Sequence, residues 1–159
     1  MLAQASSRYS HLHSKSLFLI LEPTALEGRP IVLVVEDEPL IGLSVEEWLK
    51  EAGYHVLLTE SALEALHELE SAAETLSALV TDIRLGGEED GWQLARRARE
   101  LNPLLPIVYA SGDSAIDHSS QGVPHSIMVQ KPFAAAQIVT AISTLINKVP
   151  PTVPTAENA

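Results

Sequence analysis

Four apolar runs, far apart in the chain, each end on a polar residue. They are Ile31-Val-Leu-Val-Val-Glu36-Asp37, Ala78-Leu-Val-Thr-Asp82, Ile107-Val-Tyr-Ala-Ser111 and Ile127-Met-Val-Gln-Lys131. Short continuous runs of this kind suit strands covered on both faces, the condition of a parallel sheet between two helix layers. Set side by side in parallel, they bring Glu36, Asp37, Asp82, Ser111 and Lys131 to one sheet edge. In an open α/β sheet, the crevice at the carboxyl ends of the strands is where ligands bind. Three carboxylates there repel one another unless a divalent cation joins them, and an ammonium and a hydroxyl suit a phosphoryl group. The constellation describes a magnesium-dependent phosphoryl site with Asp82 as acceptor.

The segments between the runs carry helix signals. Pro39 suits a first helical turn, with Ile41, Val45, Trp48 and Ala52 along one face and Gly53 as the stop. Tyr54 to Thr59 reads as a second strand, and Ser61-Ala-Leu-Glu64 as a capping box opening a helix with Leu63, Leu66 and Leu69 inward. Trp92 to Leu101 and Phe133 to Asn147 read as helices, the latter with Ile138, Ile142 and Leu145 inward. The stretch from Gly112 to Ser126, with two glycines, a proline and several serines, shows little apolar periodicity, and a full helix there is not expected. Five strand-helix alternations imply a doubly wound five-stranded parallel sheet with a shortened or irregular fourth helix. The expected organisation is an extension over residues 1–29, partly disordered, one domain over 30–147 and a disordered tail over 148–159.

The chain has 159 residues and no cysteine, which excludes disulfides, thiolate zinc sites and a cysteine nucleophile. A net charge of −11 argues against a nucleic-acid binder, whose affinity comes largely from Lys and Arg. The apolar stretch Leu17 to Leu21 is too short to span a membrane and short for a signal-peptide core, so a cytoplasmic location is the expectation. The six histidines form no metal spacing.

The motifs Val34-Val-Glu36-Asp37-Glu38-Pro39, Val80-Thr-Asp82-Ile-Arg84-Leu, Ala110-Ser111-Gly112 and Lys131-Pro132-Phe133 together resemble the receiver domain of bacterial two-component response regulators, over roughly residues 30 to 147. The resemblance implies a flavodoxin-like fold with Asp82 as phosphoacceptor. Glu36, Asp37, Asp82 and the backbone carbonyl of Arg84 would hold Mg²⁺, Ser111 stands at the switch hydroxyl and Lys131 at the conserved-type lysine. It also implies a cis Lys131–Pro132 bond. Partners would be a histidine kinase or histidine phosphotransfer protein and a downstream protein. Leu40, Ile41 and Phe133 flank the proposed site, where a phosphodonor could dock on them, and burial in the core fits Ile41 equally well. On this reading the chain is no enzyme beyond its own Mg-dependent phosphorylation and dephosphorylation. It signals by protein contact or phosphate relay.

Two positions depart from the common pattern. Met128 occupies the place of an aromatic three residues before the lysine, while Tyr109 lies two before Ser111. Tyr-Ala-Ser-Gly is similar to the Phe-Ala-Thr-Gly motif of the stand-alone "FAT GUY" receivers. The stretch from Gly112 to Ser126 is then the expected responsive element, with Tyr109 as its lever. Arg84 and Asp113, each two residues beyond a site residue, are placed to pair over the pocket. Two other functions compete. An aspartyl-phosphate phosphatase commonly places an acid two residues after its nucleophile, where this chain has Arg84. A pseudo-receiver that binds partners without phosphorylation does not need the complete set of acids, hydroxyl and lysine.

Overall fold

The computed structural model describes residues 28–149. The extension expected over 1–29 and the tail over 148–159 lie outside the described residues, save for 28, 29, 148 and 149. Five strands, β1 (Ile31–Val35), β2 (His55–Thr59), β3 (Ala78–Asp82), β4 (Ile107–Ser111) and β5 (Ile127–Gln130), form one parallel sheet in the order β2-β1-β3-β4-β5. The helices are α1 (Pro39–Glu51), α2 (Ala62–Ala72), α3 (Gly91–Leu101), α4 (His118–Gln121) and α5 (Ala135–Ile146). The flavodoxin-like doubly wound fold is therefore present, and the order reverses direction between β1 and β3, the switch point at which such sheets bind ligands.

Strand side chains alternate between the two faces. Val32, Val34, Val80, Val108 and Ala110 pack with Val45 and Leu49 of α1 and Ile138, Ile142 and Leu145 of α5. Leu33, Val35, Leu79, Ile107 and Tyr109 pack with Ala65 and Leu69 of α2 and Leu94, Ala95 and Ala98 of α3. Both faces of β1, β3 and β4 are thus dry, which is why these strands read as unbroken apolar runs.

Some helix expectations shift in phase. In α2 the buried residues are Ala62, Ala65 and Leu69, while Leu63 is 79% exposed. Ser61 is the cap, accepting from the Glu64 amide, so the inward stripe starts at Ala62 and Leu63 is turned about 100° away from it. The Glu64 carboxylate reaches back one residue further than a capping box, to the Glu60 amide. In α1 the buried line is Gly42, Val45 and Leu49, with Ile41 and Trp48 half-buried beside it. Ala52 is an exposed C-cap, and Gly53, at φ +95°, makes the expected stop. The last helix begins at Ala135 rather than Phe133.

The crossover between β4 and β5 lacks a full helix, as expected. It contains a 3-10 turn (Ser114–Asp117) running into the single-turn α4, which buries none of its residues. Among the described residues, no helix is long and apolar enough to cross a membrane.

Candidate functional site

Strand register sets the site. Val35 pairs with Thr81, Asp82 with Ala110 and Ser111 with Gln130, so Glu36, Asp82, Ser111 and Lys131 emerge side by side at the carboxyl edge. Asp82 ends β3 and is 7% exposed. Its Oδ1 accepts from the Ile83 amide at 2.6 Å and the Arg84 amide at 3.3 Å, which fixes the carboxylate against its own backbone. Its Oδ2 faces Lys131 Nζ at 3.0 Å.

Glu36, 4% exposed, accepts from the Glu38 amide through Oε1 and meets Lys131 Nζ through Oε2 at 2.8 Å. Burial pushes the Glu36 carboxyl above its ordinary range. Hydrogen bonds from Lys131 and the Glu38 amide oppose the rise without cancelling it, and the nearby Asp82 charge adds to it. Burial on its own would lower Lys131, but its hydrogen bonds to Glu36 and Asp82 and their charges outweigh that and hold the ammonium above its ordinary value. The two shifts have different causes, burial for the acid and its carboxylate partners for the ammonium. A single ammonium faces two buried acids, so it is over-supplied with negative charge. The Lys131–Pro132 bond is cis, as expected.

Asp37 is exposed, and carboxylate oxygens of Glu36, Asp37 and Asp82 all lie within 4.8 Å of one another. Three hard oxygen donors in that space suit Mg²⁺, which takes few carboxylates and keeps water and phosphate oxygens. The loop after β3 runs beside them: Gly86 holds φ +66°, a conformation that favours glycine, and a Cβ there would be in ordinary contact with Asp37 Oδ2 at 3.4 Å. Asp37, Asp82, Arg84, Ser111, Gly112, Asp113 and Lys131, with Glu38, line a cleft of about 240 Å³. Ser111 is 2% exposed, and its Oγ accepts from the Ser114 amide at 3.3 Å. Arg84 and Asp113 pair across the mouth at 3.3 Å, both about three-quarters exposed.

Every residue singled out at the strand ends is therefore in one place. Leu40 is 81% exposed beside the site, whereas Ile41 and Phe133 are half-buried and pack on the core, Phe133 edge-on to Trp48. Two contributors escaped the sequence reading. Glu38 brings a fourth carboxylate 4.0 Å from Lys131 Nζ. Gly91 opens α3 directly against Asp82, its amide donating to Ile83 O at 2.8 Å, and a Cβ there would lie 2.1 Å from the Asp82 carbonyl oxygen. The Glu-Asp-Glu run was a signal for the first; only the close approach reveals the second.

Residues 32–143 match the response regulator receiver domain family. Among solved structures, the chain is 43% identical to a response regulator receiver protein from Sinorhizobium medicae WSM419, with a TM-score of 0.73 over 76% of this chain and 97% of that one. It is 32% identical over 117 residues to the response regulator receiver protein CpdR of Brucella abortus, covering 72% of this chain and 95% of CpdR. The receiver domain of sensor histidine kinase PA1611 from Pseudomonas aeruginosa PAO1, described with a magnesium ion coordinated in its active site cleft, shares the fold at 23% identity and a TM-score of 0.65, over 75% of this chain and 98% of that one. The match to a Brucella sensor kinase, by contrast, spans only 13% of that relative. The chain belongs to the response regulator receiver domain family of two-component systems.

Proposed function

We propose that this receiver takes a phosphoryl group onto Asp82 from the phosphohistidine of a histidine kinase or histidine phosphotransfer protein, and signals through a protein partner or passes the phosphate on. An Asp82 carboxylate oxygen attacks phosphorus, the P–N bond breaks, and the histidine nitrogen leaves with the electron pair. The observation that carries this reading is the state of Asp82. It is buried and immobilised by two backbone amides, yet it faces an ammonium and an open cleft rather than solvent or core.

Phosphoryl transfer needs positioning and charge neutralisation more than covalent help. Glu36, Asp37 and Asp82, with the Arg84 main-chain carbonyl, would hold Mg²⁺, which when bound supplies the positive charge that the phosphoryl oxygens require. Lys131 pairs with the remaining phosphoryl charge. Ser111 donates its hydroxyl proton to a phosphoryl oxygen. Arg84 and Asp113 narrow the approach of water to the acyl phosphate. Turnover is confined to this chain's own acyl phosphate, as suits a regulator, and the match along nearly all of CpdR supports a stand-alone type. Tyr109-Ala-Ser-Gly is what favours the "FAT GUY" group.

Incubation with acetyl phosphate or a phosphorylated kinase, followed by intact-mass measurement, tests the assignment. Wild type gains one phosphoryl group, while Asp82→Asn and metal-free protein gain none. Label that persists in either removes Asp82, or the metal, from the reading.

A further inference from the structure

A second cavity, of about 260 Å³, lies at the amino ends of β4 and β5, the end of the sheet opposite the phosphoryl site. Pro103, Leu104 and Pro106, on the approach to β4, and Leu145, in the last turn of α5, give it apolar walls. Its polar lining is Arg99 from the last turn of α3, Lys148 after α5, and His125 just before β5. No acid lines it, in a chain of net charge −11.

Arg99 is half-buried, and its Nε donates to Leu105 O at 2.7 Å, which ties the guanidinium to the chain entering β4. Among the described residues its terminal nitrogens have no acceptor, and neither Arg99 nor Lys148 has an acid within ion-pair distance. Burial lowers the Arg99 guanidinium from its ordinary value, opposed only by the nearby Tyr109 phenol. A charge taken partly out of water without a partner is unfavourable, and an anion beside it offsets that. His125 is exposed at the rim with φ +60°, a left-handed conformation uncommon outside glycine and concentrated at functional sites. Two prolines fix the backbone of the apolar wall, so the cavity is preformed.

A guanidinium fork matches a carboxylate or a phosphate. A phosphate group needs donors around several oxygens, whereas most of this wall is hydrocarbon, which suits one carboxylate on an apolar body. The volume lies just below the usual range of ligand pockets and keeps that body small. We propose that the cavity binds a medium-chain aliphatic monocarboxylate, its carboxylate on Arg99 and Lys148 and its chain along Pro103, Pro106 and Leu145. Binding here does not depend on the acceptor role of Asp82.

Octanoate is titrated into the ¹⁵N-labelled full chain. The controls are octanamide, which has the same chain without the charge, and acetate, which has the charge without the chain. Octanoate should shift the amides of Arg99, Leu104, His125 and Leu145 saturably. It should bind at least about tenfold more tightly than octanamide, as the loss of a charge-assisted hydrogen bond requires, and more tightly than acetate by at least as much. Arg99→Gln should weaken octanoate at least about tenfold. Because Arg99 also holds Leu105 O, the exposed Lys148 gives an independent check: Lys148→Glu should weaken octanoate at least about fivefold and leave octanamide unchanged. Octanamide bound as tightly as octanoate would mean an apolar crevice only. Shifts that do not saturate, or that lie away from the cavity, would mean non-specific association. Either result overturns the proposal, as does wild-type affinity in either variant. Octanoate that binds only after residues 150–159 are removed would make the chain's own continuation the occupant, and overturns it too.

Discussion

Gly91→Ala sets two effects of opposite sign against each other. Gly91 is the first residue of α3, immediately after the Asp90 cap, whose carboxylate and the Gln93 side chain exchange hydrogen bonds with each other's amides. In an open helix the change gains about 1 kcal/mol of propensity. Here the new Cβ would stand 2.1 Å from the Asp82 carbonyl oxygen and 2.8 Å from Ile83 Cα, both backbone atoms. An ordinary contact is near 3.5 Å, so strand end and helix start must part by more than about 1 Å. Neither side yields readily, since Gly91 N is bonded to Ile83 O and the Thr81 hydroxyl to Asp82 O at 2.7 Å. Overpacking at such a point costs about 3 kcal/mol, the top of its usual range, and the net is a loss of about 2 kcal/mol. Thermal unfolding should show a midpoint lower by roughly 8 °C for a domain of this size. The shift passes directly to the carboxylate held by the Ile83 amide, and displacements of about 1 Å at a reacting group cost up to ~100-fold in rate. Phosphorylation by acetyl phosphate should slow at least about tenfold. An alanine variant as stable as wild type and phosphorylated at the same rate would show that helix and strand separate freely, and the steric argument would be wrong.

Mg²⁺ affinity should weaken on acidification at a higher pH than an ordinary carboxylate site, because burial raises Glu36 and the proton competes with the metal. Titrations between pH 7.5 and 5.5 check this, and a flat profile counts against Glu36 as a ligand. In metal-free protein the stability sign is the reverse of the common acid. Folded Glu36 holds its proton more tightly than unfolded Glu36, so its contribution falls as pH rises from 4.5 through the raised value. Arg84→Ala and Asp113→Ala should each speed loss of the phosphoryl group, by no more than about fivefold, since an exposed pair is worth about 0–1 kcal/mol. Decay rates equal to wild type in both variants would mean that the pair does not restrict the hydrolytic water.

What could be read from the sequence was whatever a period or a strand end encodes. The apolar runs located β1, β3 and β4 because strands covered on both faces leave no polar alternation to confuse them, and the shorter run before Lys131 located the edge strand β5. The acids, hydroxyl and lysine followed, since each is the residue at which a run stops. Helix phase was harder. Leu63 looked like the natural core residue of α2, but the start of the helix at Ala62 put small alanines inward and left the leucine in water. The proximity of His118 to Trp92 and Tyr109 was not legible. It is created by a crossover without periodicity, in which one tight seat over Gly122 decides where the ring goes.

The Lys131 ammonium reaches from the end of β5, over β4, to acids at the ends of β3 and β1. In folding terms both links are long-range: the one to Asp82 closes 49 residues, and the one to Glu36 runs from the end of β1 to the end of β5. Loop closure of that length is favourable only once the intervening sheet exists. A nascent or truncated chain therefore holds Asp82 without its ammonium. The contact with Asp82 arrives only with the last strand, so it certifies that the five-stranded sheet beneath the site is complete.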